Sequence, residues 1–223
     1  MQKINWLDHL VNFLSVIIGV SLAFVISNKS EQFKLDREFK LNVEAILEEV
    51  NSDIRNFETY QIPDNREKLE RQNQALRLVS ENTGGDSLTQ YLQVFFDINN
   101  YSPTNTTINS LITSGKLDLI NDFELKKMIL SYQIFAQELE AQGDFQVEYF
   151  MDRIIPWFIK NPSFLIEEQK SKQKDGRDNT DLVFILTFYN SFLASKVGKY
   201  EEALIQAKAL RDKLEMYVPK AEN

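Results

Sequence analysis

The chain has 223 residues, a net charge of −8, no cysteine and one histidine. These totals exclude disulfides, thiolate nucleophiles and cysteine-based metal sites, and they leave His9 as the one base for a serine–histidine pair. The acidic charge argues against nucleic acid as a partner, and the sequence shows no concentrated basic stripe that would bind an anionic membrane surface. Hydrophobic residues make up 43% of the chain against only 7 Gly and 5 Pro, which predicts an all-α protein.

The first predicted element is a helix from Trp6 to Ile26, and no charged side chain lies between His9 and Lys29. Such a run matches the ~20 helical residues that cross a hydrocarbon layer of ~30 Å. We interpret residues 1–28 as a transmembrane anchor and therefore expect the lipid bilayer as a partner.

A cleaved signal peptide is the competing interpretation of the same stretch, with residues 21–23 as a small-residue cleavage site. The apolar run is longer than the ~7 to 15 residues usual for a signal peptide. Its length favours an uncleaved anchor.

The polar and small residues of the anchor follow one another at spacings of three or four, so a helix places them in one stripe. The stripe consists of Asp8, Asn12, Ser15, Gly19 and Ala23. Small residues let two helix backbones approach closely in lipid, which predicts helix pairing and a homo-oligomer or a membrane complex. The alternative is that small residues are simply common in membrane-spanning helices.

The helical pattern continues beyond the anchor as far as Phe57, so the anchor and the next segment are predicted to form one long helix that joins a bundle of residues 29–223. Pro63 is expected to end this helix, because it biases Ile62 away from helical dihedral angles. A second helix is predicted from Arg66 to Glu81, followed by a short helix that begins at Asp86 or Ser87.

The segment 104–132 is predicted to form a helix, a glycine stop, an apolar bridge and a second helix. Thr106 or Thr107 can cap the first helix and Gly115 can end it, and Asn121 or Asp122 can cap the helix that starts at Phe123.

Pro156 is expected to end or kink the long helix from Phe123, and an aromatic-rich piece follows it. Trp157, Phe158 and Phe164 are predicted to cap one end of the bundle, with a ligand pocket beneath them as the alternative. Residues 167–180 form a polar linker that we expect to be mobile, and the last helix is predicted from Asp181 to about Tyr217.

Two groups of carboxylates are the candidates for catalysis or metal binding: Glu44, Glu48 and Glu49, and Glu138, Glu140 and Asp144. A di-metal bundle would need a histidine three residues after a glutamate on two helices, and these histidines are missing. We interpret both groups as solvated faces and expect no catalytic residue, no metal and no cofactor.

Two stretches carry a family resemblance. They are the anchor, which contains Gly19 and ends at Asn28, and a block formed by Tyr101, Pro103, Thr107, Leu111, Ser114, Gly115, Lys116, Leu117, Ile120, Leu125 and Tyr132. In these stretches the chain resembles a family of bacterial single-pass membrane proteins common in Bacteroidota, domain of unknown function 6090. The resemblance implies no known reaction. It implies a bacterial inner-membrane protein with a periplasmic body, and it makes Tyr101, Pro103, Ser114, Gly115, Leu117 and Ile120 a structural motif.

The charged residues near the anchor give opposing indications of the side of the membrane on which the helical body lies. Four basic residues follow the anchor, against one before it, which favours a cytoplasmic body: Lys29, Lys34, Arg37 and Lys40. They are interleaved with acidic residues, however, and long C-terminal domains often cross a membrane regardless of flanking charge. The chain also lacks the basic N-terminal segment and the Asn-Asn-Trp ending that the family usually shows.

The sequence therefore predicts a non-enzymatic, membrane-anchored helical scaffold or accessory subunit. An extracytoplasmic module that senses a ligand or peptidoglycan is the alternative, and a carboxylate-metal hydrolase is the least favoured one.

Overall fold

The computed structural model describes residues 6–81, 85–162 and 180–218. These ranges contain helices and connecting turns but no strand. The α-helices are α1 (Trp6–Asn56), α2 (Ile62–Ser80), α3 (Gly85–Leu92), α4 (Thr106–Thr113), α5 (Phe123–Tyr149), α6 (Ile155–Lys160) and α7 (Thr180–Leu214). The predicted all-α fold, with a long N-terminal helix that joins a bundle, is confirmed.

The first helix, α1, has 51 residues and a length of about 77 Å. Leu10 and the large apolar side chains from Phe13 to Leu35 are exposed, and the first buried hydrophobic residue among the described side chains of α1 is Val43. The described residues contain one helix that is long and apolar enough to cross a membrane, and none of its apolar window is buried in the protein. The N-terminal half of α1 therefore projects from the bundle that its C-terminal half helps to build.

The prediction that Pro63 ends the first helix is wrong. A five-residue π-helical segment, Phe57–Gln61, follows α1, and α2 continues directly from it with Ile62 in the helical conformation. The N–H of Ile62 bonds to the carbonyl of Phe57, five residues back. A π turn holds one extra residue, which shifts the carbonyl ladder so that a proline can be accommodated without a break.

A π turn also precedes Pro156, which was expected to end or kink the helix from Phe123. The π-helical segment Phe150–Ile154 follows α5, and the N–H of Ile155 bonds to the carbonyl of Phe150. The helix then continues into α6, with Pro156 in its first turn. Both isoleucine–proline pairs of the described chain are thus preceded by a π turn.

The glycine stop and the cap predicted between α4 and α5 are confirmed. Gly115 has φ of 70°, a left-handed conformation that favours glycine, and it follows the end of α4. The side chain of Asp122 accepts a hydrogen bond of 3.0 Å from the N–H of Leu125 and caps α5.

The buried apolar residues form three clusters along the bundle. The first joins α1, α4, α5 and the end of α7, around Val43, Ile46 and Leu210. A small middle cluster surrounds Phe57 and Tyr200. The third joins α2, α3, α6 and the start of α7. Helix α7 contributes to all three, and it packs against α1, α2 and α5.

Several predicted features fall at the edges of the described ranges. The predicted linker 167–180 lies outside them except for Thr180, where α7 begins, and Phe164 is also outside. Helix α7 ends at Leu214, a few residues before the predicted Tyr217.

Candidate functional site

The stripe predicted for helix pairing lies on the projecting half of α1. Ser15, Gly19 and Ala23 are exposed, and a methyl group placed on Gly19 would meet no atom within 4 Å. The side chains of Asp8 and Asn12 lie outside those the structure describes. No described part of the chain covers the three small residues, so the surface they form is open to lipid or to another helix.

A buried carboxylate, Asp53, connects α1 to the loop between α3 and α4. Its Oδ1 accepts hydrogen bonds from the Tyr101 hydroxyl at 2.6 Å and the Thr104 N–H at 2.9 Å. Its Oδ2 accepts one from the Tyr132 hydroxyl of α5, also at 2.6 Å. Asp53 has no exposed surface, and both of its carboxylate oxygens accept hydrogen bonds from the chain itself.

Burial dominates the electrostatics of this carboxylate and its two tyrosines. It raises the pKa of Asp53, while hydrogen bonds from Thr104, Tyr101 and Tyr132 act in the opposite direction. Burial, followed by interaction with Asp53, raises the pKa of both Tyr101 and Tyr132. Both hydroxyls therefore keep their protons and serve as donors.

One turn earlier on α1, Glu49 caps α4. Its carboxylate accepts hydrogen bonds from the Thr107 N–H at 3.0 Å and the Thr107 hydroxyl at 2.8 Å. The expectation that Glu49 belongs to a solvated face is wrong, since it is partly buried and bonded to another helix. Asn105, the residue at the N-cap position, makes no side-chain cap. The negative charge of Glu49 also suits the positive end of the α4 dipole.

A layer of buried polar side chains separates the middle cluster from the third one. On α2 the layer lies between Ile62 and Ala75, on α5 between Leu139 and Ile154, and on α7 between Leu193 and Tyr200. We call it the polar layer, and it consists of Asn65, Lys68, Gln72, Gln146 and Lys196.

Lys196 is the centre of the polar layer and is only 1% exposed. Its ammonium group donates to the Asn99 carbonyl at 2.7 Å, to Asn100 Oδ1 at 2.8 Å and to Gln146 Oε1 at 2.7 Å. Gln146 in turn donates to the Tyr189 hydroxyl at 2.7 Å. One lysine therefore ties the loop before α4 to α5 and α7.

Burial lowers the pKa of Lys196 to about 7, and the positive charge of Lys68 acts in the same direction. The carboxylates of Asp64 and Asp97 oppose this shift. They also form ion pairs with Lys68, at 2.7 Å and 3.1 Å. The polar layer thus contains two lysines, and the carboxylates of Asp64 and Asp97 form ion pairs with Lys68.

Close approach of the loop to α5 depends on Gly143. The Asn100 side chain donates to the Gly143 carbonyl at 2.9 Å, and a methyl group on Gly143 would come within 3.1 Å of Asn100 Cβ and Cγ. Gly143 is thus the point at which the loop before α4 contacts α5.

The predicted structural motif is divided between the loop before α4 and the connection between α4 and α5. Tyr101 bonds to Asp53, Pro103 is buried, and the Ser114 hydroxyl donates to the Ser110 carbonyl at 2.6 Å. Leu117 packs against the first cluster, of which Ile120 is a buried member.

The two described residues of the predicted cap lie in α6. Phe158 is 2% exposed, and its ring centroid lies 5.0 Å from that of Phe96 and 6.2 Å from that of Phe95. Trp157 is half-buried beside it. Phe158 thus contributes to an aromatic core contact at the α6 end of the bundle.

The remaining acidic residues singled out in the sequence are exposed: Glu44, Glu48, Glu138, Glu140 and Asp144. Glu138 forms an ion pair with Lys199 at 3.1 Å. Among the described residues no group of three or more His, Asp or Glu side chains is placed to hold a metal ion.

Comparisons of the chain with models of protein families, with curated proteins and with solved structures found no match. The fold and these sites define a class, namely an all-α protein with one candidate membrane-spanning helix near its N-terminus.

Proposed function

We propose that the protein is a non-enzymatic, single-pass membrane-anchored scaffold or accessory subunit of the bacterial inner membrane, with its bundle in the periplasm. The observation that carries this proposal is the projection of α1, whose apolar segment no described part of the protein covers. Leaving that surface in water would be costly, because burial of apolar area is worth roughly 25 cal/mol per Å². A bilayer removes the cost without a partner protein. The resemblance to the Bacteroidota membrane family supports the same proposal, including the periplasmic side.

The hydrogen bonds of the two most buried charged groups support a non-enzymatic role. Asp53 accepts from two tyrosines and a backbone N–H, and Lys196 donates to three oxygens. Both groups are thus engaged by several hydrogen bonds from the chain itself, which supports a structural rather than a catalytic role for them.

The anchor is tested by vesicle flotation of the full chain and of the Val16→Arg/Val20→Arg variant. A charge at the centre of a span costs about 3 kcal/mol, so we expect the wild type to float and the variant to stay in the soluble or aggregated fraction. Ile205→Arg, at a position of α7 that is 69% exposed, is the control and should float like the wild type. Equal flotation of all three proteins would contradict the anchor.

The scaffold function requires association, which we assign to the stripe around Gly19. Gly19→Ile adds bulk at the open surface of the stripe and should weaken association in detergent or in a membrane two-hybrid assay. Ser21→Ile adds similar bulk on another side of the same helix and should leave association unchanged. An unaltered Gly19→Ile variant would remove the pairing surface from the proposal.

A ligand- or peptidoglycan-sensing module is the second candidate, and Gln72 in the polar layer favours it. The residue has no exposed surface, and both of its amide heteroatoms lack a hydrogen-bond partner among the described residues. A buried polar group without a partner costs about 1–3 kcal/mol, which a bound polar molecule would offset. Calorimetric titration with soluble peptidoglycan fragments tests this candidate, and binding that Gln72→Leu abolishes would support it.

A further inference from the structure

Four basic residues lie together on one face of α1, immediately after the apolar segment. At 100° per residue they fall within a sector of about 140°. We call Lys29, Lys34, Arg37 and Lys40 the basic face. Three of them line a shallow surface groove together with Ile26, Ser30 and Phe33.

The basic face points away from the bundle. Phe39, Val43 and Ile46 pack into the first cluster, and they lie on the opposite side of the helix, about 140° from the centre of the basic face. Residues 27–37 are all exposed. This face is therefore open to a partner outside the chain.

The acidic residues of the same segment lie on its flanks. Glu31, Asp36 and Glu38 are about 90° to 130° from the centre of the basic face. Glu38 also forms an ion pair with Lys116 from the connection between α4 and α5, so its charge is compensated within the chain. The carboxylates thus border the basic face, with Asp36 beside Lys40 and Glu38 beside Lys34, and none of them lies within its sector.

The distances along α1 place the basic face from the headgroup layer to the water just beyond it. Counted from Ile26, Lys29 lies about 5 Å, Lys34 about 12 Å and Arg37 about 17 Å along the axis. The headgroup layer extends roughly 5–8 Å beyond the hydrocarbon, and charges act over a further ~8 Å at physiological salt. Helix side chains also lean toward the N-terminus, which here is toward the apolar segment, and long basic side chains extend in that direction.

We propose that the basic face binds the phosphate groups of anionic phospholipids in the leaflet where α1 leaves the membrane. This inference rests on the membrane anchor proposed above. An anionic lipid fits because the face combines cations with the apolar side chains of Ile26 and Phe33, so that phosphates and acyl chains are both complemented. The net charge of −8 opposes approach of the bundle to the same surface. The chain is thus attracted to the membrane at the base of the projecting helix and repelled elsewhere.

The test uses the full chain in vesicles of phosphatidylcholine with 30% phosphatidylglycerol, probed with a spin-labelled form of each lipid. Electron paramagnetic resonance gives the ratio of the association constants of the two labels for the protein surface. We expect a preference of about threefold for phosphatidylglycerol that falls toward one at high salt. Lys34→Gln/Arg37→Gln should remove most of it. Arg55→Gln is the matched control, because Arg55 is exposed on the same side of α1 but about 30 Å further from the span, and this variant should keep the preference.

Each outcome distinguishes this inference from the anchor itself. A chain that floats with these vesicles but shows no lipid preference would overturn the lipid site and leave the anchor intact. A chain that does not float would overturn both. An unchanged preference in Lys34→Gln/Arg37→Gln would assign the preference to another part of the chain and overturn the proposal.

Discussion

The Tyr132 hydroxyl of α5 donates a hydrogen bond of 2.6 Å to the Asp53 carboxylate of α1, across 79 positions of the sequence. The other carboxylate oxygen binds the loop before α4 through Tyr101 and Thr104. A single acidic side chain therefore fixes the relative position of three parts of the bundle. Its loss would leave several buried donors without an acceptor.

Asp53→Ala should lower the free energy of unfolding by about 3 kcal/mol, because hydrogen bonds to a charged group contribute about 1.5–3 kcal/mol and both tyrosine hydroxyls would lose their acceptor. Urea unfolding of the full chain in detergent, followed by circular dichroism, measures the change. Ser52→Ala, at the exposed neighbouring position, should change the free energy by less than about 0.5 kcal/mol. An Asp53→Ala variant as stable as the wild type would contradict the role assigned to this carboxylate.

Glu49→Ala should destabilise α4 by about 1 kcal/mol, because the N–H and hydroxyl of Thr107 lose their cap. Hydrogen exchange over residues 106–113 should become faster. Glu48→Ala removes the same charge from an exposed neighbour and should leave the exchange of α4 unchanged. Equal effects of the two substitutions would show that net charge, rather than the cap, stabilises this helix.

Alanine substitutions at two helical glycines should change the free energy of unfolding in opposite directions. Gly143→Ala introduces a methyl group 3.1 Å from the Asn100 side chain, which is held by its bonds to Gly143 and Lys196 and cannot easily yield. We expect Gly143→Ala to lower the free energy of unfolding by about 1 kcal/mol. Gly198→Ala in α7 meets nothing within 4 Å and should gain about 0.5–1 kcal/mol from helix propensity. Thermal unfolding of both variants gives the comparison, and stabilisation by Gly143→Ala would refute the tight contact.

The stability of the protein should rise with pH above neutrality because of Lys196. Its pKa is lowered from 10.5 to about 7 in the folded protein, so between these values the unfolded chain binds more protons. Stability should therefore increase from pH 7 to about 9.5, by at most about 1.4 kcal/mol per pH unit, and level off below pH 7.

Urea unfolding at several pH values tests this dependence. Lys196→Met should flatten the rise, whereas Lys199→Met, at a partly exposed lysine one turn away that pairs with Glu138, should preserve it. A wild-type curve that is flat or falls over this interval would show that the ammonium form of Lys196 is favoured in the folded state.

The parts of the fold set by local chemistry were predictable from the sequence. Gly115 was expected as a helix stop and adopts the left-handed conformation, and Asp122 was expected as a cap and bonds to the N–H of Leu125. Each of these features depends on a few adjacent residues. The long apolar N-terminal helix was also predictable, because its length and composition are visible in the sequence.

The two prolines show where local reasoning fails. Pro63 was expected to end a helix and Pro156 to end or kink one, but a π turn before each proline lets the helix continue. Whether a proline breaks, kinks or follows a π turn depends on the packing on both sides of it. Helix α2 packs along much of α7, which favours a continuous path over a break.

Buried polar residues were only partly visible in the sequence. Asp53 lies among inward positions of α1, between Val50 and Phe57, and Lys196 lies four residues before the inward Tyr200. A charged residue on a buried stripe is therefore a signal for a buried network. The partners were not predictable, because the loop that supplies Tyr101 and Asn100 comes from distant sequence.

The basic face was not predicted from the sequence. Its four cations alternate in the sequence with Glu31, Asp36 and Glu38, which gives a segment of mixed charge without a basic stripe. Helical geometry brings the cations into one sector with the carboxylates at its borders, and the ion pair between Lys116 and Glu38 compensates one of these carboxylates.

The uninterrupted course of α1 also has a mechanical consequence. No glycine or proline occurs from Ser27 to Asn56, so this part of the helix has no hinge. It behaves as a lever arm of about 45 Å, and tilting the apolar segment by about 10° would swing Asn56 sideways by about 8 Å. For the membrane anchor proposed above, a change in bilayer thickness that tilts the apolar segment would thus be amplified into a displacement of the whole bundle.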